Sequence, residues 1–176
     1  NTMKQVILIG SPNSGKSLLF NRLTGLNHKV ANFPGVTIDV SAGMFHDLPN
    51  TTLLDFPGAY SLNPISGEEK IAADKFEQLI QREDTELVLC ILDATRLEKS
   101  LQLCLDVIQR AQANKKNVLV LANMIDVLNK HGINFDTEGL SKKLGVPLLG
   151  ISARSGLGIQ ELIEKVAELQ KKPVIE

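Results

Sequence analysis

Gln5-Val-Ile-Leu-Ile9, Gly10-Ser-Pro-Asn-Ser-Gly15-Lys16-Ser17 and Leu18-Leu-Phe-Asn-Arg-Leu-Thr24 follow one another without a gap: an apolar run, a glycine-containing octet and a stretch of helical period. The octet matches the pattern GxxxxGK[ST], and a strand before it with a helix after it is the context in which that pattern makes a phosphate-binding loop. Gly10 and Gly15 let the backbone curl, so that the amides of Asn13, Ser14, Gly15, Lys16, Ser17 and Leu18 converge on phosphate oxygens at the positive end of a helix. Lys16 then places its ammonium between the β- and γ-phosphates of a nucleotide, and the Ser17 hydroxyl ligates Mg²⁺. The plainer alternative is a glycine-rich turn with a surface lysine.

Outward from that unit, short β-branched or Leu-rich runs alternate with helical stretches, the signature of a parallel sheet with helices on both faces. The predicted class is α/β, a six-stranded mostly parallel sheet with one antiparallel edge strand and about five helices. Strands are expected at Gln5 to Ile9, Ile38 to Met44, Thr51 to Leu54, Leu87 to Leu92, Val118 to Leu121 and Pro147 to Ile151. The second alternates apolar and polar residues and is read as the edge, because an edge strand keeps one face wet. Helices are expected at Lys16 to Thr24, Glu68 to Gln81, Glu98 to Asn114, Thr137 to Leu144 and Gly158 to Gln170. Ser66 with Glu69 offers a capping box, Asp136 caps the fourth helix and Gly145 ends it. Leu26 to Thr37 and Phe56 to Ile65, rich in Gly, Pro, Asn and Ser, are left as long loops of the kind that carry function.

Asp55-Phe-Pro-Gly58 stands at the end of the third strand, where the carboxylate can hold Mg²⁺ and the Gly58 amide can meet the γ-phosphate. Thr37, the single threonine of the first loop, can close over metal and γ-phosphate as an order–disorder switch; simple strand entry is the alternative. Asn123-Met-Ile-Asp126 follows the fifth strand and Ser152-Ala153-Arg154 the sixth. Asp126 can accept from the N1 and N2 hydrogens of guanine, which adenine does not offer, while the Ser152 to Arg154 backbone offers an amide to O6 and Asn123 ties these loops to the phosphate loop.

Of the 176 residues 43% are apolar, 22% charged and 4% aromatic, with a net charge of −1. These values fit one domain with an aliphatic core, and the interleaved charges carry no footprint of a nucleic-acid binder. Cys90 and Cys104 lack metal or redox spacing and read as buried thiols. His28, His46 and His131 are scattered and read as surface or loop residues rather than iron ligands. Glu68, Glu69, Asp74 and Glu77 read as a solvated acidic helix face.

The segments Gly10 to Ser17, Asn32-Phe-Pro-Gly-Val-Thr37, Asp55-Phe-Pro-Gly-Ala-Tyr-Ser-Leu62 and Asn123-Met-Ile-Asp126 resemble the cytoplasmic G domain of the bacterial ferrous-iron transport protein B (FeoB) family. The resemblance implies a Ras-like fold over residues 1–172, with 173–176 beginning a linker to a helical domain and a transmembrane permease outside this chain. It implies a slow, potassium-stimulated GTPase at the cytoplasmic face of the inner membrane, with substrate GTP, product GDP and cofactor Mg²⁺, and it leaves open whether the protein forms a homo-oligomer. In that family an asparagine at the position of Asn13 helps bind K⁺ beside the phosphates; a turn-forming asparagine is the alternative. Lys16, Asn13 and Thr37 are then the residues on which catalysis rests, because Ala59 stands where many GTPases carry a water-orienting Gln. Met124 keeps the apolar stem of the lysine that G domains generally carry there and loses its charge. Two other functions compete: an Era-like ribosome-assembly GTPase, which needs a basic appendage, and a small-metabolite kinase, which does not need the Asn123 and Asp126 pair.

Overall fold

The computed structural model describes residues 3–25, 28–33, 36–62 and 67–171, and for 36–39, 68, 69 and 171 the backbone only. Seven strands form one sheet in the order β2-β3-β4-β1-β5-β6-β7. They are β1 (Lys4–Gly10), β2 (Lys29–Phe33), β3 (Val36–Met44), β4 (Thr51–Asp55), β5 (Thr85–Asp93), β6 (Asn117–Asn123) and β7 (Leu148–Gly150). The pairs β4–β1, β1–β5, β5–β6 and β6–β7 are parallel, while β2–β3 and β3–β4 are antiparallel. Between them run α1 (Lys16–Thr24), α2 (Glu68–Ile80), α3 (Leu97–Ala113), α4 (Ile125–Lys130), α5 (Thr137–Leu144) and α6 (Ile159–Lys171).

The period of two along β1 shows why the sheet needs helices on both faces. Ile7 and Ile9 enter one core with Phe76 and Leu79 of α2 and Cys104 and Val107 of α3. Val6 and Leu8 enter the other with Leu19 and Leu23 of α1 and Leu162 and Val166 of α6. All four β1 side chains are fully buried, which only a strand covered on both faces requires of consecutive residues. Phe56 meets Phe76 edge to face at 5.4 Å between ring centroids, anchoring the chain as it leaves β4. Cys90 and Cys104 are buried free thiols. A hydrogen bond to Cys104, then burial, pushes the Cys90 thiol well above its ordinary value, which keeps it protonated and inert.

The structure corrects several expectations. The sheet has a seventh strand: Lys29–Phe33, taken for loop, is β2, and it rather than β3 is the edge. β2 pairs on one side only and buries none of its residues, so it needs no apolar alternation. Arg82 lies over the Phe33 ring at 5.0 Å, covering the most apolar part of that edge. Thr37 therefore falls within β3 and not in a loop. A sixth helix, α4, starts inside the Asn123-Met-Ile-Asp126 motif. α2 begins after Gly67 with no side-chain cap, and Ser66 of the expected capping box lies outside the described residues. The Asp136 cap is made, its carboxylate accepting from the Gly139 amide at 2.9 Å, and Gly145 ends α5 at φ 74°. Glu77 is not part of a solvated face: it accepts from Arg110 at 3.0 Å and from Asn114 at 2.8 Å.

Candidate nucleotide-binding site

The turns after β1, β4, β6 and β7 gather at the carboxyl end of the parallel strands, where open α/β sheets bind ligands. A hollow of about 980 Å³ lies at the opposite end among Lys4, Asn50, Arg82 and Asp84, and none of the motif residues lines it.

In the phosphate loop Asn13 has φ 66° and Gly15 φ 92°. The Ser14 amide donates to the Ser11 carbonyl at 3.2 Å. The amides of Asn13, Gly15, Lys16, Ser17 and Leu18 have no acceptor among the described residues. Five amide donors left without an acceptor at a helix start are suited to an anion, since an unmade hydrogen bond is costly. Gly15 is required twice: its left-handed backbone disfavours a side chain, and a Cβ there would stand 2.2 Å from Asn123 Nδ2. Lys16 Nζ donates to Asp55 Oδ1, so the cation and the carboxylate assigned to phosphate and metal are held at one place. The Ser17 side chain is exposed beside them.

After Asp55 the chain crosses the phosphate loop, with the Ala59 amide donating to the Gly10 carbonyl at 3.3 Å. A Cβ on Gly58 would stand 3.5 Å from the Gly10 carbonyl and from Pro12, and Gly58 itself is exposed. A cleft of about 400 Å³ opens between these two loops and the start of α3, lined in part by Asn13, Tyr60, Arg96, Lys99 and Met124.

At the other end Asn123 is 3% exposed and uses both ends of its carboxamide. Nδ2 donates to the Ser14 carbonyl and Oδ1 accepts the Ala153 amide, both at 2.9 Å. Met124 sits at φ 71° as the residue before α4, which sets the half-buried Asp126 in its first turn. Asn13 and Met124 are two of only four described non-glycine residues with positive φ, and strain of that kind concentrates at ligand sites. The Ser152 amide donates to the Leu157 carbonyl, so with the Ala153 amide on Asn123 the Arg154 amide is the one of the three without a partner among the described residues. Arg22 of α1, which sequence reading passed over, braces this turn from outside. Its Nε donates to the Ala153 carbonyl at 2.7 Å and its Nη2 to the Arg154 carbonyl at 2.9 Å. A basic residue in a last helical turn is ordinary, so nothing in the pattern marks it. The structure thus brings together the candidate residues on the turns after β1, β4, β6 and β7; the Thr37 side chain lies outside the description.

His28 contacts Thr24 and the Gly25 carbonyl, and among the described residues no three His, Cys, Asp or Glu side chains form a metal cluster.

A family model for ferrous iron transport protein B, its amino-terminal part, matches residues 4–166. This chain belongs to that family. It is 42% identical over 161 residues to the Fe(2+) transporter FeoB of Leptospira biflexa and 39% identical over 168 residues to that of Helicobacter pylori. These matches take in 90% and 93% of this chain but only 22% and 25% of the relatives, so the chain spans about a quarter of their length or less. Among solved structures, a mutant of S. thermophilus NFeoB bound to mGDP is 36% identical with a TM-score of 0.79, covering 95% of this chain and 61% of that one. The cytosolic domain of T. maritima FeoB in apo form is 38% identical with a TM-score of 0.79, covering 99% of this chain and 66% of that one. A GDP-bound mutant of the S. thermophilus FeoB G-domain gives 35% and 0.80, covering 98% of this chain and 65% of that one. The architecture is accordingly that of a FeoB G domain, Ras-like in its sheet and helices.

Proposed function

We propose that this chain binds GTP, hydrolyses it to GDP and phosphate, and serves as the cytoplasmic switch of a bacterial ferrous-iron transporter. The observation that carries the guanine reading is the Asn123 carboxamide, which joins the phosphate loop to the Ser152–Arg154 turn while Asp126 stands three residues on. A site that reads only phosphate has no use for that stitch. The family supports the transport role over a ribosome-assembly GTPase: its curated relatives are named as Fe(2+) transporters and are about four times longer than the stretch matched here. The permease and any helical domain are then partners within the same polypeptide. No helix of the described residues is long and apolar enough to cross a membrane. The test is equilibrium binding and turnover of GTP and ATP by the purified chain; equal handling of the two nucleotides would refute the guanine assignment.

The donor set fits Mg²⁺, since the Ser17 hydroxyl and Asp55 carboxylate are hard oxygens and Asp55 already holds a cation, the Lys16 ammonium. Ser17, Asp55 and Thr37 would hold the metal, which when bound neutralises phosphate charge. The chain's own groups then divide the work. The Asn13 to Leu18 amides grip phosphate oxygens, Lys16 exchanges Asp55 for phosphate, and the Gly58 amide reports on the γ-phosphate. Ala59 has no group to orient water, so charge stabilisation must come from elsewhere. Asn13 is exposed, and its amide oxygen is a hard donor that suits K⁺ in that role.

A further inference from the structure

We propose that Asp106 and Arg110, one helical turn apart on α3, are positioning residues for hydrolysis that anchor the segment after Gly58 at Leu62, so that Gly58 is aimed at the phosphate loop from a fixed end. The inference rests on the nucleotide reading of the site. Asp106 is 2% exposed, and a buried carboxylate is costly unless its lone pairs are used. Its Oδ2 accepts the Ser61 hydroxyl and the Leu62 amide, each at 2.9 Å, and Gln102 braces Oδ1 at 2.9 Å. Arg110 Nη2 donates to the Leu62 carbonyl, and Nη1 reaches Glu77 of α2 at 3.0 Å. Both backbone ends of Leu62 are thus gripped by α3, and α2 is tied to the same arginine.

The grip has a direction. Upstream of Leu62 the loop is held at the phosphate loop by the bond from the Ala59 amide to the Gly10 carbonyl, stretched at 3.3 Å, while Tyr60 between the two anchors is half exposed. Charge-assisted bonds such as those to Asp106 are roughly twice as strong as neutral ones. When the Gly58 amide turns toward a γ-phosphate, the weaker Ala59 contact yields and the Leu62 end stays, so Leu62 is the pivot about which Gly58 is aimed. GDP, lacking the γ-phosphate, does not draw on this device.

The experiment compares the 176-residue chain with Asp106→Ala, Arg110→Ala and Asp106→Asn, which keeps one oxygen for Ser61 and Leu62. Three quantities are read: the single-turnover GTP hydrolysis rate, the GDP affinity, and the ratio of affinities for a non-hydrolysable GTP analogue and GDP. The alanine variants should lose tenfold or more in rate and at least threefold in the affinity ratio, with GDP affinity within threefold of wild type and partial rescue in Asp106→Asn. Parallel losses in GDP affinity and rate, tracking the folded fraction, would overturn the proposal in favour of a purely structural role. So would a folded alanine variant with the wild-type rate and ratio. A wild-type chain that binds GDP without turning over GTP refutes the proposed function instead. The affinity ratio then judges the latch alone, a fall supporting it and no change overturning it.

Discussion

Asn123 shows how much of the site one side chain decides. Its two 2.9 Å bonds join Ser14 to Ala153, and Gly15 is the residue that lets it approach. On the proposed function Asp126, three positions on, reads the base. An amide there presents a donor where guanine also donates and xanthine accepts. Asp126→Asn is therefore expected to shift preference from GTP to xanthosine triphosphate, by up to ~10⁴-fold in relative affinity, the range open to a site built to hydrogen-bond its ligand. Competition binding with both nucleotides measures it. Asn13 carries a second expectation. An unassisted G domain turns over at roughly 10⁻⁴ to 10⁻³ per second, and hydrolysis here should be faster in potassium than in sodium. Asn13→Ala should abolish that difference and leave GDP binding nearly intact, because the amides of Gly15 to Leu18 remain. Single-turnover rates in each salt at matched ionic strength decide it, and equal wild-type rates would reject the ion.

Local chemistry fixed most element boundaries. α1 runs over Lys16–Thr24 and α5 over Thr137–Leu144, as read from their flanking glycines and the Asp136 cap. α5 buries none of its residues, so packing contributes little to its start and the cap contributes more. Asp136→Ala is expected to cost about 1 kcal/mol, roughly a 2–4 °C fall in melting temperature for a domain of this size, with GTP affinity unchanged because α5 carries none of the candidate ligand residues. A calorimetric scan with and without nucleotide checks both halves. The elements that sequence reading missed, β2 and α4, are short, five and six residues, and their reasons to exist lie outside them. β2 is recruited by the free edge of β3, and α4 follows the left-handed turn at Met124.

At the scale of the molecule, the site is made of four turns that share no local sequence and meet because parallel strands end together. A nucleotide that touches all four binds the folded chain and not the unfolded one. GDP at a hundredfold excess over its Kd is therefore expected to add about 2.7 kcal/mol to stability, roughly 5–10 °C in melting temperature. Lys16→Ala should lose most of that shift, and Ser17→Ala should recover part of it as Mg²⁺ is raised. Thermal scans over a Mg²⁺ series separate the two, and equal recovery in both variants would contradict their separate roles.

The sequence by itself determined the class, the parallel core and the identity of the motif residues, because these rest on local patterns: the octet at Gly10, the period of two in β1, the carboxylate at Asp126. Only the tertiary structure decided what depends on residues far apart along the chain meeting. It moved Thr37 from loop to strand, made β2 the edge, spent the Ala153 amide on Asn123 and left that of Arg154, and turned Glu77 from a solvated face into a partner of Arg110. Asp106 is the sharpest case. In the sequence it is one more acidic residue of an amphipathic helix, and the donors that make it bearable in the core, Ser61 and Leu62, are 45 and 44 positions away. No period or spacing records such a pairing, since burial of a charge depends on which loop the fold lays over it.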